Sequence, residues 1–376
     1  MKFNVPSKML YAYVAAVCKV INSKNAMTIL NNLLFSLEGD TLTITASDLE
    51  NTLSATLTVT EPEGEGKFCV DAKRVADLLK ELPDLGVTID VNDENLAIDL
   101  TYPGGKFSLV GINGNEYPNT KEPVAEDQKM MFTAPMKQVL SGIDNTLFAV
   151  GNDPVRPQMM GILWDIKPDK ITFVATDTRK LVRYVNTMSA PGIEGSFILP
   201  VKPANIIKNV FAKDEEIDIT LDPKSATFST AAFNFNCRFI KGNFPDYNRV
   251  IPQSNPYALT IDRTEFLNAV RRVGVFVDPG NGLVKFKLNA TELVMKAQDT
   301  NFCTSARETM SCDFNGPEMI IGFSAHYLIE IFNTITTEQI IINLSDPSRP
   351  GVFVPDTQSE NGDLLMLLMP MTVHDF

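Results

Sequence analysis

Hydrophobic residues follow two periodicities along the chain, one typical of helices and one typical of strands. In six segments apolar residues recur every three or four positions, which predicts amphipathic helices that pack one face on a core. We predict these helices at residues 7–21, 71–81, 135–150, 201–213, 262–277 and 324–336. Between them apolar and polar residues alternate, as in Leu42–Asp48, which predicts antiparallel strands with one buried face.

The pattern of strands and helices occurs three times. In each copy an alternating strand ends in Ala-x-Asp, and the aspartates are Asp48, Asp177 and Asp299. Solenoid repeats are about 20–50 residues long, whereas this spacing is that of a whole domain. We therefore predict an α+β chain of three repeated domains, each with two helices packed on antiparallel sheets. The predicted domains span residues 1–122, 128–253 and 257–376.

The composition of the 376 residues is that of an ordinary globular protein, with 44% hydrophobic and 21% charged residues. No apolar run approaches the roughly 18 residues of a membrane helix, and the N-terminus lacks a signal-peptide core, so we expect a cytoplasmic protein with no membrane partner. The five cysteines never form a Cys-x-x-Cys pair, and the two histidines are His326 and His374. We therefore expect no disulfide framework, no metal and no cofactor.

The charge is unevenly distributed between the predicted helices and the rest of the chain. The whole chain has a formal charge of −13, which argues against non-specific binding of nucleic acid. The six helical segments nevertheless sum to +5, which leaves −18 on the remainder. One interpretation is ordinary scatter among surface elements. The other is that the helices face a polyanion while the acidic exterior repels it.

Helix dimensions limit how such a chain could surround DNA. Six helices of about 10 Å diameter, side by side in a closed ring, leave a hole of only about 9 Å. Twelve helices leave about 28 Å by the same estimate, which is wide enough for a duplex. A three-domain chain with two helices per domain would therefore have to dimerise, head to tail, to encircle DNA.

Several fragments, in the right order, make the chain resemble the bacterial sliding clamps, the beta subunits of DNA polymerase III, over essentially its whole length. These fragments are Met1–Phe3, Ile29–Leu34, Thr176–Leu181, Gly242–Pro252 and Leu368–Met371. The resemblance implies a head-to-tail homodimeric ring of six similar domains with helices lining the hole. It implies a processivity factor without a catalytic step, whose partners are duplex DNA without sequence specificity, the polymerase III catalytic subunit, the clamp loader and other proteins carrying a clamp-binding motif.

The resemblance also implies two sets of binding residues. The DNA-facing candidates are the basic residues Lys24, Lys73, Arg74, Lys202, Lys208, Arg271 and Arg272. A groove between the second and third domains would receive short hydrophobic peptides, since thioethers and small apolar groups can repack around varied ligands. Its expected wall consists of Met159, Thr176, Thr178, Lys180, Leu181, Pro245, Arg249, Val250, Tyr327, Leu367, Leu368, Met369, Pro370 and Met371. From the residues alone, the apolar run near the C-terminus could equally be a buried final strand.

For the dimer contact we expect Val275 and Phe276 of one subunit to meet the strand containing Lys106, Phe107 and Leu109 of the other, edge to edge. The chain departs from the family at the groove rim. The family's usual Thr-Asp-Gly-His-Arg-Leu reads Thr176–Leu181 here with Thr178 for the glycine, and residues 373–376 extend past the usual end. Two alternatives stay open for Phe376: it partly covers the groove, or it belongs to a frayed tail.

Two other classes of function are weighed against the clamp. An enzyme is disfavoured because the nearest phosphate-loop mimic, Gly64–Lys67, lacks the full spacing and the following Ser or Thr, and no nucleophile elbow occurs. A scaffold that binds only proteins fits the acidic total. Retention on closed circular DNA that is lost on linearisation would distinguish a ring from such a scaffold.

Overall fold

The computed structural model describes residues 1–119, 125–188, 190–299 and 301–376. The predicted end of the first domain at residue 122 lies outside these residues. Chain contacts divide the molecule into two compact units, each built from two stretches of sequence. The first unit contains Met1–Lys137 and Lys202–Phe239, and the second contains Gln138–Val201 and Ile240–Phe376.

All six predicted helices are present. They are α1 Ser7–Val17, α2 Ala72–Glu81, α3 Met136–Thr146, α4 Val201–Val210, α5 Arg263–Val273 and α6 Ala325–Thr334. Three of them end earlier than predicted because their last residues form short 3₁₀ turns, at Cys18–Val20, Leu147–Ala149 and Gly274–Phe276. A 3₁₀ turn keeps a helix-like hydrophobic spacing over a few residues, so the periodicity alone extends each prediction too far.

Local chemistry explains where the helices begin. The Asp71 carboxylate accepts a hydrogen bond from the Arg74 amide at 2.8 Å, and Asp262 accepts one from the Glu265 amide at 2.7 Å. Each aspartate satisfies an amide that the first turn of its helix leaves without a partner. At α1 the preceding strand ends in Pro6, which has no amide hydrogen to continue the ladder.

Strands fill most of the remaining chain. In the described residues the first part of the chain contains β1 Lys2–Pro6, β2 Asn32–Glu38, β3 Thr41–Ser47, β4 Asn51–Thr58, β5 Thr60–Glu63, β6 Gly66–Asp71, β7 Gly86–Val91, β8 Ala97–Tyr102, β9 Gly105–Val110 and β10 Ile112–Asn113. The middle part contains β11 Met130–Pro135, β12 Gly161–Lys167, β13 Lys170–Thr176, β14 Lys180–Asn186, β15 Gly195–Pro200, β16 Glu216–Leu221, β17 Ser225–Ser229 and β18 Phe233–Arg238. The last part contains β19 Tyr257–Asp262, β20 Leu283–Leu288, β21 Glu292–Asp299, β22 Thr304–Ser311, β23 Asp313–Phe314, β24 Met319–Ser324, β25 Gln339–Leu344, β26 Gly351–Pro355 and β27 Gly362–Leu368.

The first unit contains two antiparallel sheets. Its nine-stranded sheet has the order β10-β6-β2-β3-β4-β18-β17-β16-β11, and its five-stranded sheet has the order β5-β1-β7-β8-β9. The nine-stranded sheet joins two copies of the repeat, because β4 pairs with β18 through residues such as Leu53 and Phe235. Both of these side chains are fully buried, so the sheet carries a continuous apolar face.

The second unit repeats this arrangement. Its nine-stranded sheet has the order β15-β12-β13-β14-β27-β26-β25-β19-β23, and its four-stranded sheet has the order β22-β21-β20-β24. Here β14 pairs with β27, which joins the second and third copies of the repeat. The single tryptophan, Trp164 on β12, is fully buried against Phe173 and Phe197 at centroid distances of 4.6 and 5.2 Å.

Burial determines the ionisation of two of the cysteines. All five are free thiols, and burial raises the pKa of Cys18 to about 11 and of Cys69 to about 12. Buried thiols of this kind remain protonated and react slowly. Across the described residues no helix is long and apolar enough to cross a membrane, and no cluster of three metal-ligating side chains is found.

Candidate functional site

A cavity of about 190 Å³ opens on the nine-stranded sheet of the second unit. Most of the residues expected in the groove wall surround it: Met159, Thr176, Thr178, Lys180, Leu181, Pro245, Val250, Leu367 and Met369. Four further residues line it that were not singled out from the sequence: Arg179, Phe244, Asp246 and Tyr247. The sequence contained a signal for all four, since Arg179 lies inside the family-like segment Thr176–Leu181 and the other three lie inside Gly242–Pro252.

The floor of this cavity is apolar because two strands present the same face to it. Leu181 on β14 and Leu367 on β27 are directly paired, and both are 3% exposed. They belong to a hydrophobic cluster on which Phe244 and Tyr247 pack. The Tyr247 hydroxyl donates to the Asp165 carboxylate at 3.1 Å, and burial beside that carboxylate raises the pKa of Tyr247 to about 12. An apolar floor with a few polar groups at its edge is typical of a ligand site.

Lys180 and Leu368 are the neighbours of the two floor residues along the same strands. Lys180 and Leu368 are also directly paired, and they are only 4% and 0% exposed. The Lys180 ammonium forms an ion pair with Glu330 on α6 and lies 4.7 Å from the centroid of the Tyr327 ring. Lys180 lines the cavity despite its low exposure, whereas Leu368 and Tyr327 are absent from the lining residues. The place of Leu368 and Tyr327 in the wall stays a prediction.

The other residues expected in the wall lie beyond the enclosed volume. Arg249 is exposed and forms an ion pair with Asp246 at 2.9 Å. Pro370 and Met371 follow the wall residue Met369, whose amide donates to the Arg179 carbonyl at 2.8 Å. The structure thus brings the segment Thr176–Leu181 and the C-terminal segment together where β14 begins and β27 ends, in the middle of the sheet.

The turn between β13 and β14 is strained. Thr178 has a φ of +78°, in the left-handed region that β-branched residues rarely adopt. The turn persists because the Thr178 amide donates to the Thr176 hydroxyl at 3.1 Å and Asp177 accepts the amides of Arg179 and Lys180 at 2.8 and 2.9 Å. Since Thr178 also lines the cavity, the strained residue lies at the candidate site.

Replacing Thr178 with glycine is expected to stabilise the protein. Removing the Cβ relieves about 1–2 kcal/mol of left-handed strain, and the greater freedom of glycine in the unfolded chain offsets about 0.4–1 kcal/mol of this. We expect a higher denaturant midpoint for Thr178→Gly. The matched control is Thr178→Ala, which keeps the Cβ and so should bring little or no stabilisation; an equal gain in both variants would contradict the strain argument.

The cationic candidates differ in what their side chains contact. Lys24 is exposed in a loop, and Lys73 and Arg74 are exposed on the first turn of α2; in the described part of the chain no ion-pair partner is found for these three. By contrast, the Lys202 ammonium contacts the buried Asp48 carboxylate at 2.6 Å. Arg272 forms an ion pair with Glu308.

Two candidates remain on exposed helix positions. Lys208 lies on the last turn of α4. Arg271 on α5 donates to the Asn333 side chain at 2.9 Å. Intramolecular partners at Lys202 and Arg272 compete with any phosphate, so their charges are the less available ones.

The residues expected at a dimer contact lie at two open sheet edges. The strand β9 is the last strand of the five-stranded sheet; its Phe107 is 38% exposed, Leu109 is half-buried, and Lys106 forms an ion pair with Asp99 at 2.8 Å. In the second unit β22 is the last strand of the four-stranded sheet. Val275 and Phe276 lie in the 3₁₀ turn after α5 and are 77% and 38% exposed.

Three family models match the chain in order and cover most of it. They describe the N-terminal, central and C-terminal domains of the DNA polymerase III beta subunit and match residues 1–121, 133–246 and 248–372. The beta sliding clamp of Pseudomonas aeruginosa is 26% identical over 99% of this chain and 100% of its own length. That of Chlamydia muridarum is 25% identical over the full length of both chains.

Solved structures agree with this assignment. A crystal structure of the Pseudomonas aeruginosa sliding clamp with ligand has a TM-score of 0.92 at 25% identity, covering 99% of this chain and 100% of that one. A second structure of that clamp, bound to griselimycin, has a TM-score of 0.93 at 24% identity over the same shares and supports the fold. With three successive domain models and full-length relatives in agreement, the chain belongs to the DNA polymerase III beta subunit family, the bacterial sliding clamps.

Proposed function

We infer that this chain is a processivity factor that encircles duplex DNA as a head-to-tail homodimer and holds DNA polymerase III on it, without a catalytic step of its own. The observation that carries this inference is the match of all three successive beta-subunit domains along one chain. The three repeated domains we propose are residues 1–122, 128–253 and 257–376. A factor acting on the bacterial chromosome works in the cytoplasm.

Topological linkage to DNA is the property that tests this function. The protein, loaded on nicked circular DNA by its clamp loader, is expected to co-elute with the DNA in gel filtration and to dissociate after the circle is linearised. Loss only upon linearisation requires a closed ring, since contacts to phosphates are unaffected by distant DNA ends. Release at the same rate from circular and linear DNA would favour the protein-binding scaffold. Nucleotide turnover that persists through extensive purification would instead support the alternative that the protein is an enzyme.

The cavity on the second unit is the proposed docking site for partner peptides. Its apolar floor, formed around Leu181 and Leu367, can bury hydrophobic side chains of an extended peptide, while Thr178 and Arg179 offer polar contacts at the edge. The flexible thioethers of Met159 and Met369 can adjust to different peptides. The partners we propose for it are the polymerase catalytic subunit, the clamp loader and other proteins carrying a hydrophobic clamp-binding motif.

The DNA contacts we propose come from exposed basic side chains. Lys24, Lys73 and Arg74 are the strongest candidates, because no ion-pair partner is found for them among the described residues, and Lys208 and Arg271 extend the set. Lys202 and Arg272 remain in it as secondary contacts because Asp48 and Glu308 already neutralise them. Contacts of this kind bind phosphate and carry no sequence information.

Replacing Lys73 and Arg74 with glutamine is expected to weaken binding to a labelled duplex and to lower its salt dependence. Each lost phosphate contact reduces the slope of log K against log salt by about 0.9, so we expect a reduction of about 1–2. The measurement is fluorescence anisotropy over a salt series. Arg272→Gln is the matched control, because the charge of Arg272 is already paired with Glu308 within the chain. An equal reduction of the slope in this control would show that paired and unpaired cations contribute alike to DNA binding.

Two open strand edges support the proposed dimer. Edge strands leave amide and carbonyl groups that pair readily with another strand. The β9 edge of one subunit, with Phe107 and Leu109, and the β22 edge of the other, next to Val275 and Phe276, offer both backbone groups and apolar side chains. Lys106 adds a charged residue at the same edge.

A further inference from the structure

The last residues of the chain lie on the four-stranded sheet of the second unit. The Met371 amide donates to the Gly322 carbonyl on β24 at 2.8 Å. Asp375 forms an ion pair with Lys285 on β20 at 2.8 Å, and Phe376 lies under the Lys296 ammonium of β21 at 4.5 Å from its ring centroid. The tail is therefore docked on this sheet, and none of its residues lines the cavity.

The tail follows a row of residues that are in register across this sheet. Gly322 pairs with Lys285, Lys285 pairs with Lys296, and Lys296 pairs with Arg307. Three cations side by side repel one another, so an anionic and aromatic segment laid across them is favourable. The tail contacts the first three members in order, with Met371 and Val373 at Gly322, Asp375 at Lys285 and Phe376 at Lys296.

Gly322 allows the backbone of the tail to come this close. A Cβ at position 322 would lie 2.7 Å from the Val373 side chain and 3.0 Å from the Met371 carbonyl oxygen. A side chain there would push the tail off the sheet. The contact with Lys285 also affects the ionisation of Asp375. The hydrogen bond from the Lys285 ammonium holds the pKa of the Asp375 carboxyl below its usual range.

The docked tail begins where the cavity wall ends. The Met369 amide is bound to the Arg179 carbonyl at one end of the wall segment, and the Met371 amide is bound to Gly322 at the other. Pro370 between them has no amide hydrogen. Beyond β27 the wall segment is thus held by two backbone hydrogen bonds, and the second of them is adjacent to the docked tail.

We propose that residues Val373–Phe376 form a strap that holds Met369–Met371 in the position that receives a partner peptide, with Asp375 and Phe376 as positioning residues. This proposal rests on the proposed function of the cavity as a peptide site. A wall segment already ordered in the free protein loses less conformational entropy when a ligand binds. Removing the strap leaves the cavity residues in place. The segment Met369–Met371 then has to lose its conformational entropy when the peptide binds, which weakens binding.

Deleting residues 373–376 tests the strap. With a synthetic peptide that carries the clamp-binding motif of the polymerase catalytic subunit as the probe in isothermal titration calorimetry, we expect the dissociation constant to rise about 5- to 20-fold while the melting temperature stays within about 1 °C. Hydrogen exchange should accelerate at the Met371 amide and less at Met369, while β14 and β27 keep their protection. His374→Ala is the matched control, because this exposed tail residue precedes the two proposed positioning residues and is not one of them.

The ion pair gives a second, reversible test. Lys285→Asp should weaken probe binding by at most about threefold, as expected for an exposed ion pair, and Asp375→Lys in the same chain should restore it. The wild type should also lose affinity between 20 and 500 mM salt, whereas the deleted chain should show no such loss. A merely structural role of the tail would not produce this charge-dependent rescue.

The outcomes separate the strap from the function of the cavity. Unchanged probe affinity together with unchanged Met371 exchange in the deleted chain would overturn the strap. Accelerated exchange with unchanged affinity would overturn its role in peptide binding. If the wild type itself fails to bind the probe, the peptide function of the cavity fails, and the exchange measurement still decides whether the tail holds the wall.

Discussion

Substituting both Val275 and Phe276 with aspartate is expected to turn the homodimer into monomers. The two side chains are 77% and 38% exposed in the single chain, so the fold of the subunit should tolerate the change. In the dimer the new carboxylates would be buried against the β9 edge of the partner, where an unpaired charge is costly. We expect the dimer dissociation constant to rise more than 100-fold in sedimentation velocity, and retention on circular DNA to disappear.

The control for this experiment is Met131→Asp, which places the same charge on another exposed apolar residue, 63% exposed on β11. It should remain dimeric and stay on circular DNA. An unaltered dimer in the Val275 and Phe276 variant would show that the subunits meet elsewhere. Monomers that are still retained on circular DNA would contradict the requirement for a closed ring.

Placing aspartate at Val250 and Met369 is expected to abolish binding of partner peptides. Both residues line the cavity, and they are 52% and 39% exposed, so the substitutions should not disturb the core. A carboxylate at each side of an apolar floor must lose its hydration when a hydrophobic peptide binds. We expect affinity for peptides that carry the clamp-binding motif of the polymerase to fall more than 100-fold in calorimetry.

The matched control is Val155→Asp, which changes an 86% exposed residue that is absent from the cavity lining. This variant should bind peptides as the wild type does. The groove variant should still dimerise and remain on circular DNA, which separates partner binding from DNA encirclement. Full peptide affinity in the groove variant would place the partner site on another surface.

The six helices and the threefold repeat could be predicted because they depend on local periodicity. The apolar stripe of residues 262–277, for example, predicts α5 correctly and overshoots only where Gly274–Phe276 forms a 3₁₀ turn. The antiparallel sheets follow in the same way from strict alternation in segments such as Leu42–Asp48. Hydrogen bonds within a turn and side chains on one face involve neighbouring residues, so the information is contained in short windows of sequence.

The candidate site could be predicted only in part. The family resemblance supplied Leu181, Leu367 and Met369, and the structure brings these residues together around one cavity. It supplied Leu368 as well, which is fully buried and is not among the residues that line the cavity. Which face a strand presents depends on its register, and a shift of one residue exchanges the two faces.

The family, the three copies of one unit and the order of the helices could be inferred from the sequence alone, because each of them depends on the spacing of neighbouring residues or on contiguous motifs. The tertiary structure decided that β14 pairs with β27, where Arg183 and Asp363, 180 residues apart, form a hydrogen bond. It also decided that Lys180 meets Glu330, that Lys202 meets Asp48 and that the tail lies on the sheet at Lys285. These contacts join distant segments, and only the packing of whole sheets sets which of the many possible partners each side chain reaches.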